Sequence, residues 1–253
     1  MFKFLIRITL CICLEFILVN STFAQATTDS LADTKAAQVY ANAENNFNKA
    51  LGPQSRLYNG LAYLPYNNSI KGNPYFMDVT SASTGNIQYD GYTYKDVKLF
   101  YDLNKDQLIT YLYNSQLMMY LIAQKVTSFD ILDHHFIFIK PDASLSNQVK
   151  EGYYDALYDG KIKVLAKRTK TIQGESNLGQ GGISSYFTNT ATDYYLFKNN
   201  TYYKANSEGS FTSTLKDHAK EIKQFIKDKK IKYRKDKEGA MTAIATYYDH
   251  LNQ

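Results

Sequence analysis

The spacing of apolar and polar positions changes character several times along the chain. Residues 8–19 are almost wholly apolar, follow Lys3 and Arg7, and give way to the polar Asn20, Ser21 and Thr22. Further on, Ala36, Val39, Tyr40, Ala43 and Phe47 recur at spacings of three and four, which predicts a helix over 31–50. Asp29 or Ser30 stands where a cap is needed, and Gly52-Pro53 ends the pattern. Residues 25–30 read as a disordered leader.

From Leu57 the period shortens to two, and turn residues cut the chain into strand-length pieces. Leu57–Pro65 and Pro74–Val79 are candidate strands, parted by Asn67-Asn68 and Lys71-Gly72-Asn73. Asp90-Gly91 joins Asn86–Asp90 to a strand from Tyr92, because Asp-Gly suits the two positive φ angles of a tight hairpin. Val97, Leu99, Tyr101 and Leu103 then alternate with Asp96, Lys98, Phe100 and Asp102. Asn104-Lys105-Asp106 turns the chain into Gln107–Tyr113, and the continuous apolar run Leu117–Val126 reads as a central strand. Phe129–Leu132 and Phe136–Lys140 form a hairpin with Asp133-His134-His135 at its tip. Asp159-Gly160 links Gly152–Tyr158 to Lys161–Lys170, and residues 173–182 read as a loop. Strands resume at Ser184–Thr188, Asp193–Lys198 and Thr201–Ala205, the last two joined by Asn199-Asn200.

The class then changes again. Ser213 is the expected cap of a helix lined by Leu215, Ala219, Ile222 and Ile226. A second helix starts near Asp236, with Met241, Ile244, Ala245, Tyr248 and Leu251 as its stripe. The pattern therefore predicts an α+β fold: a mainly antiparallel β meander, open or curled into a half or closed barrel, with helices at both ends. It gives one globular domain over 25–253, made of a 31–50 helix, a 57–212 β-rich body and a 213–253 basic helical hairpin.

Residues 1–24 carry the marks of a cleaved export signal. The apolar run holds about 12 residues and contains Glu15, whereas a membrane span takes roughly 20. Thr22-Phe23-Ala24 puts small residues at the two positions a signal peptidase reads, which places the cut before Gln25, or alternatively after Ala26. Both cysteines, Cys11 and Cys13, leave with it, and the Leu10 and Ile12 before them argue against lipidation. The remaining chain of about 230 residues is disulfide-free and depends on a packed core. Thiol catalysis and cysteine-based zinc sites are thereby excluded. No second apolar stretch reaches spanning length. An abundance of Tyr (23) and Phe (14) without Trp fits half-buried pleated sheet.

The net charge of +5 is concentrated in one place, since residues 216–237 hold ten Lys or Arg against four acids. Export argues against nucleic acid, which leaves anionic headgroups, lipopolysaccharide or an acidic protein as partners. The plainer alternative is an amphipathic helix with a solvated lysine face.

Candidate chemistry is sparse. His134 and His135 adjoin Asp130 and Asp133, but neighbours on a strand face opposite ways and rarely share one metal. The glycines of 174–182 resemble a phosphate cradle without its Gly-Lys-Ser/Thr ending, and fit a flexible loop or a lid better. There is no Gly-x-Ser-x-Gly elbow, and His218 and His250 lie in the helical tail. Asp78, Asp90, Asp102, Asp155 and Asp159 are available as paired carboxylates, although Asp is also the usual residue of hairpin tips. No catalytic residue, metal or cofactor is assigned. The tyrosines are explained by cross-strand pairing or by a lipid groove.

Several segments are similar to a family of uncharacterised exported proteins of Bacteroidota-type Gram-negative bacteria. They are Leu57-Tyr58-Asn59-Gly60, Lys71-Gly72-Asn73-Pro74-Tyr75-Phe76, Tyr89-Asp90-Gly91, Gly152–Tyr158, Lys167-Arg168 and the ending Glu221–Asp249. The resemblance implies the periplasm or outer envelope surface and carries no catalytic residues. The resulting expectation is a non-enzymatic binding or structural protein of the envelope, in one version a carrier holding a lipid or other apolar ligand in its curved sheet. The alternative is an envelope hydrolase using acidic residues.

Overall fold

A computed structural model describes residues 26–142, 144–145, 148–177 and 182–252, so the export segment lies outside the described residues. The described residues up to Ala50 belong to one compact unit and those from Leu51 to another. The first holds helix α1 (Ala26–Leu51), which begins earlier than the pattern predicts, so residues 26–30 are helical and not a leader. Gly52 ends it at φ +53°, where a side chain would be strained.

The second unit is built on one antiparallel sheet of eleven strands. The strands are β1 (Leu61–Ala62), β2 (Ser83–Tyr89), β3 (Tyr92–Asp102), β4 (Gln107–Tyr111), β5 (Met118–Tyr120), β6 (Val126–Ile131), β7 (His134–Ile139), β8 (Gly152–Asp159) and β9 (Lys163–Thr169), followed after an inserted ribbon by β12 (Ala191–Lys198) and β13 (Thr201–Lys204). Their order is β1-β5-β4-β3-β2-β6-β7-β8-β9-β12-β13. The ribbon, β10 (Ile172–Asn177) with β11 (Gly182–Phe187), pairs Ile172 with Phe187 and Asn177 with Gly182. The expected 173–182 loop is thus mostly a hairpin, and only its tip, 178–181, lies outside the described residues. Its glycine is accommodated because Gly174 pairs with the small Ser185.

Turn chemistry explains several joints. Asp90 and Gly91 take φ of +52° and +82°, and Asn199 and Asn200 take +51° and +55°, as two-residue hairpin loops require. The β6–β7 turn is Leu132-Asp133, both at positive φ, so the histidines start β7 instead of forming the tip. Asp159-Gly160 is not a matching two-residue turn, because Asp159 pairs with Lys163 and three residues loop out between them.

Three expected strands are corrected. Leu57–Pro65 starts within a 3₁₀ turn at Arg56–Tyr58 and holds only the two-residue β1. Pro74–Val79 becomes a turn at Phe76–Asp78 with Met77 and Asp78 left-handed. Leu117–Val126 supplies β5 and a 3₁₀ turn at Ala123–Lys125, and β5 lies beside the edge strand, not at the centre. The run is apolar because Met119, Leu121 and Val126 are buried on both sides of a bend.

The strands from β3 to β9 curl without closing a barrel. The end of β3 reaches the end of β9 through Lys170 N–H to Leu103 O (3.3 Å) and Asn104 Nδ2 to Lys170 O (3.0 Å). Leu103 N–H also donates to Pro74 O at 2.9 Å, which draws the 73–78 segment into the gap. The buried Lys170 ammonium fixes that segment by bonding Asn73 O at 3.0 Å and pairing with Asp78.

The curl is filled with its own aromatic rings. Tyr101 lies 5.1 Å from Phe136, 5.5 Å from Phe129 and 5.6 Å from Tyr153, while Phe129 and Phe136 stack at 4.8 Å. Edge-to-face pairs of this kind contribute beyond area burial, by about 0.5–1.5 kcal/mol each.

Three helices cover β9 and β12: α2 (Glu208–Thr214), α3 (Ala219–Asp228) and α4 (Lys237–Leu251). Val164, Ala166, Tyr194 and Leu196 of the sheet pack with Phe211, Ile222, Met241, Ile244 and Tyr248. The helical part therefore starts before 213, and Ser207 caps α2 through a reciprocal bond with Ser210, while Ser213 sits inside the helix. Asp236 caps α4 by accepting from Gly239 N–H at 2.9 Å. The edges of the sheet are short: β1 has two residues, and on β13 the Tyr202 N–H donates to Gln148 Oε1 at 2.8 Å. Among the described residues no helix is long and apolar enough to cross a membrane.

Candidate functional site

One row across the sheet carries the polar chemistry of the core. The register pairs Phe136 with Asp155, Asp155 with Ala166 and Ala166 with Tyr194, so these four share a face. His134 and Arg168 lie two residues along their strands and face the same way. Asp155 thus sits at the seam between the aromatic filling and the helix-covered part.

Its carboxylate accepts from His134 Nδ1 at 2.7 Å and from Arg168 Nε and Nη2 at 3.0 and 2.5 Å. Arg168 Nη2 also donates to Glu238 Oε2 (3.0 Å) in the first turn of α4, and Tyr194 OH donates to Glu238 Oε1 at 2.9 Å. Burial first, then the Glu238 carboxylate, pushes the Tyr194 hydroxyl up to about 12. Phe76 lies edge-on to His134 at 5.0 Å, with the Arg168 guanidinium 5.6 Å from its ring centre. Asp155 takes three donors and Arg168 bridges two carboxylates, so the cluster acts as a staple from β7, β8 and β9 to α4.

The other acidic candidates are engaged separately. Asp102 is buried and accepts from Tyr63 OH (2.9 Å), Tyr66 OH (3.3 Å) and the amides of Asn104 and Lys105. Asp90 pairs with Arg56 and Lys125, Asp78 with Lys170 and Asp159 with Lys163. None of the five shares a partner with another. The two histidines also diverge, since His134 turns to Asp155 while His135 meets Asp130 at 2.6 Å. Asp133 is in the turn at φ +63°.

A third buried carboxylate escaped sequence reasoning. Asp249 Oδ2, near the end of α4, accepts Lys161 N–H (2.6 Å) and Tyr158 OH (2.9 Å) and so clasps the β8–β9 hairpin. An acid in the last helical turn, where the dipole disfavours it, was the signal available.

The basic segment forms a continuous outer surface. Leu215, Ile222 and Tyr233 are buried beneath it, while Lys220, Lys223, Lys227, Lys229, Lys230 and Lys232 are exposed. Among the described residues none of the ten cations in 216–237 forms an ion pair, and the acid Asp217 is taken by Lys198 of β12 at 2.8 Å. Two grooves open on this surface. One of about 370 Å³ lies among Lys230, Lys232, Lys235 and the start of α4; the other, of about 390 Å³, runs between α2 and α3.

Compared with protein-family models, curated proteins and solved structures, the chain matches none of them.

Proposed function

We propose that this is an exported, non-enzymatic binding protein of the Gram-negative envelope that docks through its 216–237 face on a phosphate-bearing lipid surface. The unpaired cations on that face carry the reading. A solvated lysine face normally intersperses acids that pair with it, whereas here the helices are fixed from below by apolar contacts and their charge is left for a partner. Each Lys or Arg near an anionic membrane surface contributes about 1 kcal/mol. The pattern of residues 1–24 and the family resemblance support export to the periplasm or the outer envelope surface.

The test is sedimentation of the mature chain with vesicles of phosphatidylcholine alone or with added phosphatidylglycerol. Binding is expected only to the anionic vesicles, and to be lost near 1 M salt, where the screening length falls to about 3 Å. Charge reversal at Lys229, Lys230 and Lys232 should abolish it. Equal binding to both vesicle types, or to neither, overturns the reading.

A further inference from the structure

We propose that the groove between α2 and α3 holds the hydrocarbon chain of a free fatty acid, with Lys216 and Lys223 receiving its carboxylate. The proposal deepens the surface reading, since both lysines belong to the same basic segment.

The floor is apolar, formed by Ala219, Ile222 and Ile226. Both hydroxyls of the α2 wall are turned to their own backbone: Thr212 Oγ1 donates to Glu208 O at 2.8 Å and Ser213 Oγ to Ser210 O at 3.0 Å. Neither hydroxyl proton is left for a ligand, and an aliphatic chain needs none. Gly209 leaves the groove open, because a Cβ placed on it meets nothing within 4 Å. The volume of about 390 Å³ is near the lower end of small-molecule sites, which suits one chain and not a two-chain lipid.

Charge fixes the orientation. Lys216, in the 3₁₀ turn Lys216–His218 before α3, and Lys223, within α3, both line the groove beside its apolar floor. Glu208 lines the groove from α2, and repels an anion. The carboxylate is therefore drawn to the lysines, and the chain runs along the isoleucines.

A dansyl-labelled undecanoic acid titrated into the mature protein, with oleate as competitor, tests this. Saturable binding displaced by oleate but not by oleyl alcohol is expected. Gly209→Phe fills the groove at an unstrained helical position and should weaken binding at least tenfold with an unchanged melting curve. Lys216→Ala with Lys223→Ala should erase the preference for acid over alcohol. Absence of saturable binding in the parent protein, or unchanged binding in Gly209→Phe, overturns the proposal. Vesicle adsorption of Gly209→Phe separates the two readings. If adsorption persists while probe binding was never seen, the groove proposal alone fails. If probe binding is saturable but vesicles are ignored, the surface reading alone fails.

Discussion

Arg168 Nη2 stands 2.5 Å from Asp155 Oδ2, and the two side chains are almost fully buried. Breaking a buried pair from one side costs more than deleting both partners, because the survivor keeps a charge without compensation. Arg168→Met should therefore lose about 3–5 kcal/mol in urea unfolding. Adding Asp155→Leu to it should restore most of that loss. Arg168→Lys should also destabilise, since an ammonium cannot replace a guanidinium reaching Asp155 and Glu238 together.

Gly152 has φ +141°, and a Cβ there would come within 2.0 Å of Asp106 Oδ2 and 2.6 Å of Lys167 Nζ. Those two groups already bond each other at 2.6 Å, so neither is free to withdraw. Gly152→Ala should cost about 1–3 kcal/mol by thermal or chemical melting. Gly209→Ala, in open space within α2, should be neutral or gain up to about 1 kcal/mol.

Leu132 and Asp133 hold φ of +51° and +63° in a two-residue hairpin turn, a conformation that Asp tolerates but that strains Leu132. Replacing them with Asn-Gly should stabilise the protein by roughly 1 kcal/mol. The rise in melting temperature reads it directly.

Two carboxyls anchor the surroundings of β12: Asp193 holds Lys204 of β13 and Asn206 beyond it, and Asp217 ties Tyr248 of α4 to Lys198. The Asn206 amide, and after it Lys204, hold Asp193 below the usual carboxylate range, with burial opposing them. Burial alone would raise Asp217, but hydrogen bonds from Lys198 and Tyr248 outweigh it and hold this carboxyl low as well. Both folded values lie below the unfolded one near 3.9, so their stabilisation is complete above that pH and is lost as pH falls through the folded values. Protection of the α4 amides against exchange, taken relative to the intrinsic rate at each pH, should fall selectively below about pH 4. Asp217→Asn should flatten part of that dependence.

Local signals were legible where one residue type has one physical use. Asp90-Gly91 and Asn199-Asn200 gave hairpins because few residues accept consecutive positive φ, and Asp236 gave a cap because its oxygen meets an orphan N–H. Leu117–Val126 misled because burial on both sides of a bend leaves an unbroken apolar run, as a central strand does. Glycines at 174 and 182 suggested a loop, yet the register of β10 with β11 seats them in a ribbon. The Asp155 cluster was illegible. Its members, His134, Arg168 and Glu238, come from three other elements, and only the sheet order and helix packing bring them together.

The short flanks of the sheet have a consequence for self-association. Along the outer side of β13 the outward backbone donors belong to alternate residues, and that of Tyr202 is already occupied by Gln148. At the opposite flank β1 offers only two residues. A neighbouring copy seeking to add a strand finds only a short ladder to extend, which disfavours end-to-end polymerisation of this tyrosine-rich sheet.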